Sequence, residues 1–542
     1  MGRLRNTVSR ANLKLPLQLA AALLAGSTFL SSILGLIRDR QLNGLYYSTY
    51  PQGIDAYTVA FTIPDFMFFV LVSGALSVTF IPVFNQRLAD GNKKSAWELS
   101  TSMLNFMASL TLVTSVLIII FAEPLVHYVV GPGLDESSRA LAVSMMRVIA
   151  INPFLFAIAS VISSMQQAVG RFTFFALAPA VYNIGIIIGT VFLTDGITIF
   201  GHQIFEGGIM GVALGVVLGS IMQLVISCIG LFGMGFDYNF KIYWRNRGFR
   251  KVLSLLPARS LDQGIDYING IVETNLASRM MAGTIRAYQQ ASTLSNMPIN
   301  LIGVAISTAA FPKMAERLGQ GRPDLFKKEL QAVLRVIVWL ALPVAIITFF
   351  GRGYIVDFIK NGGDSLMAGI LGVLAIAILF RSIYHISARS FYAQQDTKTP
   401  LYISFFSIAL NIILAIWFTM GLGLGAYGLA LATSIVAFTE VCILFVLMSR
   451  RIKGLFDTIF VHAIARMASA TGFMAIVTYF MVSILPLSVN DQSIVNSFPK
   501  FILIVVVSGI AYVVLSWVLK LEEADHVIKR VKKILFGRVR GL

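Results

Sequence analysis

The chain has 542 residues, 57% of them hydrophobic and 13% charged, with a mean hydropathy of +0.79. A soluble domain carries about 25% charged residues, so this composition excludes an ordinary water-soluble fold and makes a bilayer the solvent. The net charge of +17 raises nucleic acid as a partner, but the distribution of the basic residues along the chain accounts for it otherwise.

A helix needs about 20 apolar residues to cross the hydrocarbon core. On that template the chain has fourteen candidate spans: 17–37, 55–86, 99–122, 138–168, 173–194, 207–234, 251–277, 284–311, 328–350, 366–390, 401–420, 425–448, 460–485 and 500–519. The basic stretch 1–16 has no small-residue cleavage site after it and reads as a cytoplasmic tail. With the N-terminus inside, inside segments such as Arg87-Lys93-Lys94 and Arg450-Arg451-Lys453 hold about three-quarters of the 43 lysines and arginines. Both termini are then cytoplasmic and the positive charge is topology, with no nucleic acid required. Arg147, Arg335 and Arg381 fall within spans. Cys228 and Cys442 both lie in apolar segments and imply no disulfide.

The first span ends in Arg38-Asp39-Arg40. Charges there either snorkel to headgroups or face a polar cavity. The second span contains Pro64, Gly74 and Pro82, which break it either as a packing kink or as the lining of a watery cavity. The seventh carries Asp262, Asp266 and Glu273 ahead of Arg279 and Arg286. These acids serve either a structural pairing with arginine or the binding of a coupling ion.

Gln166-Gln167 is followed by Asn183, and Gln394-Gln395 by Asn411, at an offset of 228 residues. Gly211-Val212-Ala213-Leu214-Gly215 then matches Gly428-Leu429-Ala430-Leu431-Ala432. The repeat predicts an all-α polytopic protein with an N-lobe (17–235), a C-lobe (250–450), two appended helices (458–520) and a basic tail (521–542). Parallel lobes of this kind enclose a central cavity and alternate access to it. The tail is either an amphipathic helix on an anionic leaflet or a solvated segment. The five histidines are dispersed, no phosphate-cradling Gly-Lys-Ser/Thr loop is present, and no catalytic constellation stands out. A transporter is expected rather than an enzyme, with no resident metal or cofactor.

Five motifs stand in order along the chain: Leu34-Gly35 with Arg38-Asp39, Asp55-Ala56 with Pro64, Gly74-Ala75 with Ser77, Phe80 and Pro82, Pro298 with Gly303-Val304-Ala305-Ile306 through Pro312, and Phe391-Tyr392-Ala393-Gln394-Gln395-Asp396-Thr397-Lys398-Thr399-Pro400. Together they resemble the MurJ (MviN-type) lipid II flippases. The resemblance implies the multidrug/oligosaccharidyl-lipid/polysaccharide exporter superfamily, two six-helix lobes with two extra helices, and a cationic cavity. It also implies a bacterial inner-membrane location and export of an undecaprenyl-pyrophosphate-linked peptidoglycan precursor, lipid II, for cell-wall biosynthesis.

On that resemblance Arg38, Asp55, Arg40, Arg279 and Arg286 are the substrate-binding candidates. Glu273, Asp396 and Asn411 are the candidates for a coupling monovalent cation, Na+ or H+. The chain departs from the family at Ser32, Phe68 and Phe69, where basic residues are usual, at Ser292-Thr293, where an Asp-Arg pair is, and at Ser73, where an acid is. Alternatives are a flippase for another lipid-linked glycan, an ion-coupled multidrug exporter, and a non-transporting scaffold of the cell-wall synthesis machinery.

Overall fold

The computed structural model describes residues 17–73, 76–199, 202–236, 238–488, 491 and 493–525. The two basic tails, Gly74-Ala75, and the side chains of Asp262 and Asp266 lie outside the described residues. The chain is a multi-pass, almost wholly helical membrane protein. Thirteen helices among the described residues are long and apolar enough to cross a bilayer. The expected seventh span is a continuous 31-residue helix, Arg247–Ala277. At 1.5 Å per residue it is about 46 Å long, enough to cross, but its charged residues keep it below the apolar threshold.

Two compact units divide the chain, Met1–Arg286 and Ala287–Leu542. The first contains helices α1 (Leu17–Tyr46), α2 (Pro51–Phe68), α3 (Ile81–Ala89), α4 (Lys93–Pro124), α5 (Glu136–Ile149), α6 (Asn152–Ala168), α7 (Thr173–Ile188), α8 (Ile209–Ile229) and α9 (Arg247–Ala277), with a short antiparallel hairpin, Ile197–Ile199 and His202–Phe205. Helix α9 therefore lies on the N-terminal side of the division, whereas the repeat boundary at 235–250 groups it with the second lobe. Its Phe249, Val252 and Leu256 join a core with Phe80, Phe84, Leu99, Met103 and Met165, an apolar surface that holds it there.

Starts and stops follow local chemistry. Pro51 opens α2 at a position where a missing N–H costs nothing. Asn92 and Asp135 cap α4 and α5 by accepting from Ser95 N and Ser138 N. The expected breaks in the second span take a specific form. Helix α2 runs through Pro64 and then widens into π-helical turns at Phe69–Ser73 and Leu76–Phe80, with Pro82 in the first turn of α3. Wide turns shift the hydrogen-bond register and absorb the disruption proline causes. Helices α7 and α8 cross at glycines: a Cβ at Gly185 would stand 2.3 Å from Gly219 Cα, and one at Gly189 2.2 Å from Gly215 Cα. Only hydrogen fits in those two positions.

The second unit comprises α11 (Ala305–Gly319), α12 (Pro323–Asp357), α13 (Ser365–Ala393), α14 (Lys398–Ile416), α15 (Gly425–Arg451), α16 (Thr458–Ile484) and α17 (Ile494–Val518); α10 (Thr284–Pro298) begins at the division. The last helix, α17, is fixed to α12 by buried polar bonds, Trp339 Nε1 donating to Ser516 Oγ (3.1 Å) and Tyr512 Oη to the Trp339 carbonyl (3.0 Å), and to α16 by Thr478 Oγ1 donating to Ser508 Oγ (2.9 Å).

Local structure repeats along the chain. The π-helical turns at Gly189–Leu193 and Trp417–Gly421 recur at the same 228-residue offset as Asn183 and Asn411. Pro82, Arg87 and Gly91 recur as Pro312, Arg317 and Gly321, both glycines having positive φ. Ile54-Asp55-Ala56-Tyr57 recurs as Ile285-Arg286-Ala287-Tyr288.

The in-span arginines find partners. Arg335 bridges Glu522 and Glu523 at 3.1 and 2.6 Å, Arg381 meets buried Glu440 at 3.7 Å, and Arg147 Nε donates to the Ile119 carbonyl at 3.3 Å.

Candidate functional site

Helix α1 extends to Tyr46, so Arg38 is not at a helix end but two turns inside it. An arginine at that depth needs acceptors within reach, because hydrocarbon supplies none. Arg38 Nη1 donates to Asn183 Oδ1 on α7 at 3.0 Å, and its Nε and Nη2 donate to Asp39 Oδ1 at 3.2 and 3.1 Å. Asn183 in turn donates to the Ser31 carbonyl, Ser31 Oγ and the Pro179 carbonyl, each at 3.2 Å. The side chain of Arg38 keeps 25% of its exposure. It is held in place by three hydrogen bonds and is still not fully enclosed.

Asp39 is buried and accepts a second guanidinium, Arg286 Nη2, at 3.1 Å. Arg286 Nε donates to Asn43 Oδ1 at 3.0 Å. Asp39 and Asn43 are one helical turn apart on the same face, and the planar fork of arginine spans two such acceptors as a lysine cannot. Asp55, only 2% exposed, accepts from Gly283 N at 2.6 Å and Arg286 N at 2.9 Å. It thereby caps the first turn of the helix that starts at Thr284, satisfying amide groups that have no partner inside that helix. Three of the candidates, Arg38, Asp55 and Arg286, form one connected network: Asp39 bridges the two arginines, and Asp55 accepts from Arg286 N.

The other candidates sit elsewhere. Arg40 is half-buried on α1. Arg279 is exposed, and its Nη2 reaches Asn275 Oδ1 at 3.4 Å. Glu273 accepts from Asn269 Nδ2 at 2.9 Å. Asp396 accepts from Lys398 N, Thr399 N, Thr399 Oγ1 and Arg451 Nη2, the last two at 2.6 Å. That is a turn-and-cap arrangement at the start of α14. These bonds, that of Thr399 foremost, lower the Asp396 carboxyl from its ordinary 3.8 to about 2. Asn411 is buried and lies on α14 beyond a separation of about 22 Å from Asp396, counting 1.5 Å per residue. Asp396 and Asn411 are therefore not brought into one cation site. Among the described residues no group of three or more His, Cys, Asp or Glu is placed to hold a metal ion.

Residues the sequence reading passed over complete the surroundings of Arg38. Tyr57, Asp65 and Tyr182 lie close enough to couple to it electrostatically. At the positions where the resemblance leads to a basic pair, Phe68 and Phe69 pack edge-to-face at 5.4 Å. Asn183 had a signal, its recurrence as Asn411; Asp65 had none beyond being an acid inside an apolar segment. An arginine with residual exposure, fixed by an amide and a carboxylate, is suited to a phosphate or pyrophosphate oxygen, which guanidinium binds by paired charge-assisted hydrogen bonds.

The sequence model described as lipid II flippase MurJ matches residues 52–499. A probable lipid II flippase MurJ from Thermotoga maritima is 27% identical over 513 residues, covering 93% of this chain and 97% of the relative. The lipid II flippase MurJ of Burkholderia cenocepacia is 26% identical over 396 residues, covering 70% of this chain and 74% of its own. Among solved structures, a lipid II flippase MurJ in an inward closed conformation superposes with a TM-score of 0.73 at 24% identity, over 92% of this chain and 98% of that one. An inward-facing multidrug-resistance MATE transporter of the MOP superfamily gives 0.65 at 15% identity, over 79% and 96%. A match across most of the chain, together with the all-helical fold and the Arg38 motif, establishes that this protein belongs to the lipid II flippase MurJ family.

Proposed function

We propose that this chain moves lipid II, an undecaprenyl-pyrophosphate-linked peptidoglycan precursor, from the inner to the outer leaflet of the bacterial cytoplasmic membrane by alternating access. The reading is carried by Arg38, an arginine two turns inside a membrane helix, anchored by Asn183 and Asp39 yet with a quarter of its side chain exposed. A purely structural arginine of this kind is buried with its donors spent, as Arg286 is at 4% exposure. Membership in the flippase family supplies the substrate class. The basic residues bordering the spans support cytoplasmic termini, and the acid Glu273 supports coupling to Na+ or H+, with the membrane potential aiding the return step.

Reconstitution in vesicles with labelled lipid II tests this. Transfer of the label between leaflets supports the reading, as does rescue of a strain depleted of its own flippase. Absence of transfer from folded, reconstituted protein overturns it. A second reading, transport of a different undecaprenyl-pyrophosphate glycan, is favoured by Phe68 and Phe69 standing where basic residues are usual. The same vesicles loaded with such a glycan separate the two.

A further inference from the structure

Around Arg38 the first unit presents a group of residues that no step of phosphate binding requires. Phe156 of α6 packs edge-to-face against Tyr182 of α7 (5.3 Å between ring centroids) and against Phe68 (5.4 Å). Phe68 meets Phe69, and Phe69 stacks nearly parallel on Tyr267 of α9, at 4.4 Å and 20°. All five residues are half-buried. Tyr182 and Tyr57 lie within electrostatic reach of Arg38, as does Asp65, also half-buried. Asp65 has no hydrogen bond from the protein among the described residues, its interaction there being the charge of Arg38.

These facts combine in one way. A carboxylate and a guanidinium cannot border hydrocarbon, so the space they face is polar. The aromatic run that continues from that space is only half-buried, and a ligand with an apolar face would cover it. A pyranose ring is such a ligand: its C–H face packs on aromatic rings while its hydroxyls need acceptors. An unpaired carboxylate accepts two of them. A sugar joined to pyrophosphate carries both halves of the pattern.

We infer that Asp65 with the aromatic run Phe156, Phe68, Phe69 and Tyr267 forms a saccharide-binding site, contiguous with Arg38, that recognises the sugar attached to the pyrophosphate. The inference rests on the proposed transport of a pyrophosphate-linked glycan. In it, this chain exchanges arginine contacts to phosphate for aromatic contacts to sugar.

The test compares binding of lipid II with that of undecaprenyl pyrophosphate lacking sugar, using the full-length protein in nanodiscs. A stacking contact worth about 1.4 kcal/mol corresponds to about tenfold in affinity, so the wild type is expected to prefer the glycosylated lipid by about that factor. Phe69→Leu, which keeps apolar volume without a ring, and Asp65→Asn each bring the ratio close to one, whereas Phe69→Tyr preserves it. Arg38→Ala weakens both lipids alike. Equal affinity of the wild type for the two lipids, or an unchanged ratio in Phe69→Leu and Asp65→Asn, overturns the saccharide site while leaving pyrophosphate-lipid transport standing. Failure of the wild type to bind either lipid overturns both. Melting curves of each variant show that the protein is folded, and Asp65→Asn carries the test where Phe69→Leu does not fold.

Discussion

Asp39 and Arg286 are 247 positions apart in the chain and meet at 3.1 Å, both buried. Asp39 also holds Arg38, so one carboxylate serves two arginines, Arg286 nearly enclosed and Arg38 partly exposed. The pair ties α1, two turns before its end, to Arg286, the last residue of the first unit, and the outcomes below follow from it and from its neighbours.

Arg38 is expected to be indispensable. Arg38→Ala protein, expressed at wild-type level, fails to rescue a flippase-depleted strain and transfers lipid II at least about tenfold more slowly in vesicles, the loss of one charge-assisted pair being about 1.5–3 kcal/mol. Arg38→Lys recovers only part, because a point charge cannot hold Asn183 and Asp39 together. Full activity of Arg38→Ala would show that the guanidinium only anchors helices.

Removing one member of the buried pair is expected to cost stability more than removing both. Asp39→Asn leaves Arg286 enclosed without its counter-charge, a loss of about 3–5 kcal/mol. Asp39→Asn combined with Arg286→Gln recovers a good part of that. Thermal unfolding in detergent, followed for the two single variants and the double, gives the coupling directly.

Glycine at the α7–α8 crossing is expected to be irreplaceable. Gly215→Val forces apart backbones that the Gly189 and Gly215 positions bring into contact, and is expected to lower folded yield severely. Gly472→Ala, where an added Cβ meets nothing within 4 Å, is the matched control. It should be neutral or stabilising by up to about 1 kcal/mol, the helix-propensity difference. Size-exclusion profiles of the two variants decide the matter.

The turn at Asp396 predicts a pH window. Its carboxyl lies at about 2 in the folded protein against an ordinary 3.8, chiefly through hydrogen bonds from Thr399 and then Arg451. A depressed carboxylate adds stability that is present above pH 3.8 and is lost as pH falls through 2. Wild type and Asp396→Asn should therefore differ in melting temperature near neutrality and converge as pH falls from about 4 to 2. A constant difference across that range would assign the effect to packing.

Much of the fold was legible because the bilayer imposes simple rules. Apolar length marks a span, and thirteen of the fourteen expected segments meet that criterion as helices. The seventh, Arg247–Ala277, is a helix too polar to meet it. The prolines of the second span predict breaks, and the structure forms π-helical turns there, a geometry no residue pattern specifies. At the site, Arg38, Asp55 and Arg286 stood out as charges among apolar neighbours. Asp39 was visible only as a companion of Arg38, and Asn43 was not visible at all. Glu273, Asp396 and Asn411 shared a residue chemistry suited to cations, but Asp396 is spent on a local turn.

The sequence by itself determined the solvent, the helical class and the family, because hydropathy and short motifs are properties of contiguous residues. Only the tertiary structure decided what each charge does. Arg38 keeps an exposed face and Arg286 does not, although both are arginines bound to the same carboxylate. Asp55 caps a helix 228 positions away, while Asp65, one helix with it, is left without a hydrogen bond among the described residues. These differences depend on which distant segments pack against each side chain, and burial and hydrogen bonding are set by that packing rather than by residue type.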